Sequence, residues 1–126
     1  LTAFFMKLRL PLAASIALST LLREARPMSL GELSVATGYA KSHLSAALRL
    51  LEERSLVVRT HRRGRRIFFS AKSGVVKRLV REHLLDLKRG ISRSLSELGE
   101  SLPVKEGLRV VEKEIEALVK RLEEGE

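Results

Sequence analysis

The feature that most constrains this chain is a pair of short amphipathic helices closed by one glycine and followed at once by an arginine-tipped hairpin. Ser29 and Glu32 stand three residues apart, the spacing at which each side chain satisfies a free amide of the other's backbone and starts a helix. Leu30, Leu33 and Ala36 then fall on one face of 30–37, and Gly38 supplies the left-handed residue that ends it. Leu44, Ala47, Leu48 and Leu51 share the next helical face and predict a second helix over 40–54. Two short helices joined by a tight glycine turn form a helix-turn-helix unit, whose steep crossing leaves the second helix standing out from the body. After Ser55 the pattern becomes β-rich, with Leu56 to Thr60 and Arg66 to Ser70 bracketing His61, Arg62, Arg63, Gly64 and Arg65. That is a hairpin with the glycine where positive φ is needed and the arginines at its tip.

The flanking segments read as helices. Leu12, Ile16, Leu21 and Leu22 predict a helix over 11–25, stopped by Pro27. Lys7 and Arg9 before the apolar run Leu10 to Leu22 imitate a secretory signal. That reading is set aside because Pro11, Ser15, Ser19 and Thr20 interrupt the run and no small-residue cleavage site follows. No stretch is long enough to span a membrane. From Gly74, apolar residues recur at Val76, Val80, Leu84, Leu87, Ile91, Leu95, Leu98 and Leu102, predicting a helix over 73–101 that Gly90 and Gly99 bend or split and Pro103 ends. Leu108, Val111, Ile115, Leu118 and Leu122 predict a last helix over 104–123. A helix of about 20 residues is about 30 Å long, more than a small domain needs. The stripe Leu84, Leu87, Ile91, Leu108, Val111, Ile115, Leu118 and Leu122 is therefore expected to meet its counterpart in a second chain, making a homodimer. The alternative is core within one chain. The expected class is α+β and mostly helical, with one domain over 1–72 and a helical dimerisation arm over 73–126.

Charge is distributed unevenly. The 126 residues carry 24 Lys and Arg against 15 Asp and Glu, net +9. Residues 1–96 hold 19 basic and 6 acidic groups, and residues 97–126 hold 5 and 9. One part of the chain is suited to a polyanion, since neutralising phosphates releases counterions. Charge alone leaves RNA or a membrane surface open. The chain has no Cys, which removes disulfides and thiol chemistry. It also lacks Asn, Gln and Trp and has twice as many Arg as Lys, a composition expected of a protein working at high temperature; with the secretory reading set aside, the chain is expected in the cytoplasm. No phosphate-binding glycine loop, metal-ligand cluster or paired carboxylate suggests an enzyme, a metal or a cofactor. His83 and Asp86 are spaced to meet as an ordinary surface pair.

On the helix over 40–54, the face opposite Leu44, Leu48 and Leu51 carries Ser42, Ala46 and Arg49, with His43 and Ser45 beside it and Lys41 in the first turn. Short polar residues near a helix N-terminus let the backbone approach base edges. A long donor such as Arg49 reaches guanine O6 and N7 or a phosphate. The plainer alternative for this face is solvated surface, and for Arg62, Arg63, Arg65 and Arg66 a hairpin tip kept soluble by charge. Tyr39, Phe68 and Phe69 are expected to pack rather than stack on bases.

The segment LGELSVATGYAKSHLSAALRLLEERSLVVRTHRRGRRIFFS, Leu30 to Ser70, resembles the winged helix-turn-helix of MarR-like and TrmB-like transcriptional regulators, including archaeal members. The shared pattern is an L-x-x-L-x-x-x-T-G helix, a short polar turn, an L-x-x-x-L-x-x-L-E recognition helix, L-V opening the wing strand, and a basic hairpin. Where such proteins usually place Ser or Thr as the cap of the recognition helix, this chain has Ala40, so the cap is expected to shift to Tyr39 or Lys41. The resemblance implies double-stranded DNA as partner, wing residues Arg62 to Arg66 at the minor groove or its flanking phosphates, and a regulator that represses rather than activates. A two-fold dimer would set its recognition helices about 34 Å apart, on a pseudo-palindrome. Two other functions remain open: a DNA-coating protein without sequence preference, and a winged helix used for protein contact in a transcription or ribosome-associated assembly. No residue set stands out as a pocket for a small effector.

Overall fold

The computed structural model describes residues 1–61, 64, 66–97 and 102–124. The chain divides into two compact units, Leu1–Val75 and Val76–Glu126. The first contains α1 (Thr2–Lys7), α2 (Leu12–Glu24), β1 (Met28–Ser29), α3 (Leu30–Thr37), α4 (Lys41–Glu53), β2 (Val57–His61) and β3 (Ile67–Ala71). Its fold is a winged helix, mostly helical with a small antiparallel sheet.

The local rules decide α3 and α4. Ser29 Oγ accepts from the Glu32 amide and Glu32 Oε1 accepts from the Ser29 amide, both at 3.2 Å, so the reciprocal cap is formed. Gly38 closes α3 with φ +79°. A few residues later α4 begins, burying Leu44, Ala47, Leu48 and Leu51. The expected shift of its cap does not occur: Ala40 itself is the capping residue, in extended conformation, and no side chain caps the helix. Extended backbone at that position is set by the turn before it, which a methyl side chain tolerates as well as a hydroxyl does.

Helix α2 lies at the centre of this unit, packed against α1, α3, α4 and β3. The hydroxyls that interrupt its apolar run are buried and satisfied. Ser19 Oγ donates to the Ser15 carbonyl at 2.6 Å, Thr20 Oγ1 to the Ile16 carbonyl at 2.8 Å, and Ser15 Oγ to the Leu10 carbonyl at 3.2 Å. Thr2 Oγ1 of α1 donates to Ser19 Oγ, and Phe5 of α1 is fully buried. Helix α1 was not legible in the sequence, since six residues are too short to display a helical period.

The sheet runs β1-β3-β2, with Val57 opposite Ala71 and His61 opposite Ile67 in the hairpin. Gly64 at its tip has φ +75°. Strand β1 is two residues long and pairs Met28 with Phe69 and Ser29 with Phe68. Ser29 thus ends a strand and caps a helix at once.

The second unit consists of α5 (Val75–Glu97), which starts at the last residue of the first, and α6 (Leu102–Glu124). Each has 23 residues, about 34 Å of helix. They run antiparallel, tied by Arg81 to Glu123 at 2.8 Å, Lys88 to Glu116 at 3.1 Å and Ser92 to Glu112 at 2.7 Å. Two expectations are corrected here. Pro103 does not separate the helices but sits in the first turn of α6, where its missing amide hydrogen costs no internal bond. Gly90 does not split α5, which is continuous through it; Leu98 and Gly99 lie outside the described residues. A Cβ at Gly90 or Gly107 would meet nothing within 4 Å. Gly90→Ala and Gly107→Ala are each expected to stabilise by about 0.5–1 kcal/mol, read as a rise in Tm. A fall in either would show that the helix needs the glycine there.

Candidate nucleic-acid interface

Burying Leu44, Leu48 and Leu51 fixes the rotation of α4 and turns its other face outward. Lys41, Ser42, His43, Ser45, Ala46 and Arg49 are all exposed. The N-terminal half of this face carries short polar groups, with Arg49 two turns further along. The charge distribution sharpens when counted by unit: residues 1–75 hold 13 Lys and Arg against 4 Asp and Glu, residues 76–126 hold 11 of each. The whole net positive charge therefore belongs to the unit that carries α4.

On the hairpin, Arg66 is exposed, with its guanidinium 5.8 Å from the centre of the Phe68 ring. Arg62, Arg63 and Arg65 lie outside the described residues, so their expected place at the tip rests on the sequence. Lys41 and Arg66 open onto one cleft of about 600 Å³, together with Arg26, Glu32 and the start of α3. Nothing local in the sequence connects Lys41 to Arg66; the fold brings them together.

Two further arrangements were not anticipated. Arg59 of β2 binds Glu52 of α4 through two of its three guanidinium nitrogens, Nη2 at 2.8 Å and Nε at 3.2 Å, while its guanidinium lies 5.3 Å from the centre of the Phe69 ring. This two-point contact ties the C-terminal end of α4 to the wing. At the other end, the rings of Tyr39 and His43 meet edge to face, centroids 5.1 Å apart at 78°. Tyr39 precedes the helix, so the four-residue rule for a helix face does not predict the pair.

Within the cleft, Arg26 Nη1 donates to Glu32 Oε2 at 2.6 Å. That bond first, and then the Ser29 amide, hold the Glu32 carboxyl below its ordinary pKa. A depressed carboxyl contributes stability that is present above its unfolded pKa and lost as pH falls through its folded one. Glu32→Gln is therefore expected to lower Tm at neutral pH by no more than the equivalent of about 1 kcal/mol. The difference should close in acid; a constant offset from neutral to acid pH would show that the charge contributes nothing.

Among the described residues, no group of three or more His, Asp or Glu could hold a metal ion. No helix among them is long and apolar enough to cross a membrane. Asp86 accepts from Arg89 at 2.9 Å, while His83 Nδ1 is buried without a hydrogen-bond partner, so the surface pairing expected of His83 is not made through that nitrogen.

On the helical unit, the expected stripe divides. Ile115 is only 6% exposed and Val119 is also buried, Leu84, Ile91, Leu108 and Leu122 are half-buried, and Leu87, Val111 and Leu118 stay 43–46% exposed. Val104, which the sequence reading did not include, is 49% exposed. Val104, Val111 and Leu118 are seven residues apart and so line one side of α6.

No family model matches the chain, and no curated protein matches it. Solved structures do. A crystal structure of a transcriptional regulator superposes with a TM-score of 0.69 over 98% of this chain and 88% of that one, at 19% identity. A variant of MepR from a multidrug-resistant S. aureus clinical isolate superposes with a TM-score of 0.53 over 92% of this chain and 84% of its own, at 17% identity. The architecture is thus that of winged-helix regulators, as the resemblance of Leu30 to Ser70 implies. At these identities the likeness is one of fold.

Proposed function

We propose that this chain is a sequence-reading, double-stranded DNA-binding transcriptional regulator that works as a homodimer in the cytoplasm, as a repressor, at high temperature. The observation that carries the reading is the exposed face Lys41, Ser42, His43, Ser45, Ala46 and Arg49, on a helix whose opposite side is locked into the core. It belongs to the unit that holds all the net positive charge, and the first solved structure described above is of a transcriptional regulator.

In this reading α4 enters the major groove. Ser42, Ser45 and Ala46 allow close approach, Arg49 supplies the bidentate donor, and Lys41 with Arg66 neutralises phosphates on the flank. Arg62, Arg63 and Arg65 would follow the minor groove with Gly64 turning the tip. The seven-residue row Val104, Val111 and Leu118, with Leu87, favours a second copy of the helical unit as partner, because exposed apolar residues at that spacing form a continuous seam. Pairing two copies doubles the reading face and implies an operator with two-fold symmetry.

The deciding experiment is competition binding against random DNA at two salt concentrations. A sequence reader shows strong preference for its site and a steep salt slope, a DNA-coating protein keeps the slope with a specificity ratio near one, and a protein-contact module shows little DNA binding. Arg49→Ala is expected to cost about 1–3 kcal/mol at one base position and relax preference there. Unchanged affinity and base preference would mean that α4 does not face DNA as described.

A further inference from the structure

We propose that Tyr39 is a positioning residue that orders the His43 imidazole for reading one base, an inference that rests on the DNA-binding function proposed above. Ala40 gives α4 no side-chain cap, so the geometry of its first turn must be held by something else. Tyr39 is clamped to α3 on both sides of its peptide unit. Its amide donates to Thr37 Oγ1 at 3.2 Å, and its carbonyl accepts from Ser34 Oγ at 2.7 Å. From that fixed backbone the half-buried phenol ring meets the exposed imidazole of His43 edge to face, at 5.1 Å and 78°.

The contact has a consequence for recognition. An exposed histidine on a helix ordinarily samples several rotamers, and each must be given up on binding. A tilted ring contact narrows that choice before DNA arrives. His43 lies in the first turn of α4, the part of such a helix that reaches base edges in the major groove. An imidazole N–H is matched by a major-groove acceptor, N7 or O6 of guanine, N7 of adenine or O4 of thymine, and not by the amino group of cytosine. The pair Tyr39–His43 therefore assigns a base preference to one position in each half-site, with His43 making the contact and Tyr39 acting through it.

The test uses the full chain as wild type, Y39L, Y39F and H43A, each used to select duplexes from a randomised pool. Wild type is expected to show a base preference at one position, disfavouring cytosine there. Y39L and H43A should lose that preference at the same step by roughly three- to tenfold, and Y39F, which keeps the ring, should retain it. Affinity of Y39L for random DNA and its salt dependence should not change. The proposal is overturned if Y39L keeps the full preference, if its losses spread over every position, or if Y39L and H43A act at different steps. A second readout needs no DNA: the imidazole C–H proton of His43 should shift in Y39L and not in Y39F. An unchanged resonance in Y39L overturns the contact itself. If the resonance behaves as expected while wild type selects no sequence at all, the ring contact stands and the DNA-binding function is what has failed, taking the base-reading role of Tyr39 with it.

Discussion

Leu48→Ala is expected to destabilise the Leu1–Val75 unit by about 2–5 kcal/mol and to lower its Tm by more than about 10 °C. Leu48 is 1% exposed on the inner side of α4, and α4 packs against α2, α3 and β2. Truncation leaves a void that four separate elements would have to move to fill, which is why collapse cannot recover much of the loss. Domains of this size have a total stability of about 5–15 kcal/mol, so the change consumes a large part of it. Ser45→Ala, three residues away on the exposed side, should stay within about 0.5 kcal/mol. Thermal unfolding of the two variants side by side checks the rotation of α4. Equal effects would mean that the inner and outer faces have been misassigned, and the proposed recognition surface with them.

The second large effect concerns assembly. Val111→Lys combined with Leu118→Lys is expected to leave the helical hairpin folded and to halve the mass in solution. Both side chains are more than 40% exposed in the single chain, so lysine there costs little until a second copy has to cover it. Ile115→Lys, the substitution the middle of the sequence stripe suggests, is the wrong instrument. Ile115 is already covered within one chain, and a charge there would disrupt the hairpin whether or not a partner exists. Loss of pairing should also weaken binding to a two-half-site operator by about 10²-fold or more while sparing a single half-site, because the second contact is no longer intramolecular. A mass unchanged by the double lysine variant would remove this seam as the interface. Circular dichroism on the same samples separates dissociation from unfolding.

Much of the site was legible in the sequence because it is built from short-range rules. The Ser29–Glu32 cap, the Gly38 stop and the Leu44–Leu48–Leu51 face involve residues within one or two turns of each other, and α3 spans the expected 30–37. Rotation of α4 follows from its apolar spacing alone, and with it the exposure of Lys41, Ser42, His43, Ser45, Ala46 and Arg49. The Arg59 clamp on Glu52 and the cleft shared by Lys41 and Arg66 were not legible, since each joins residues whose separation along the chain carries no periodic signal.

Sequence alone determined where the helices of the recognition motif begin and end and which side of each is apolar, because capping, glycine stops and the 3.6-residue period act through neighbouring residues. Tertiary structure decided the rest. Strand β1 exists only because β3 lies alongside to pair with it, and Pro103 falls inside α6 rather than before it. Which residues of a leucine and valine stripe remain exposed is set by what the chain folds against them, a property of three-dimensional packing that no local pattern encodes.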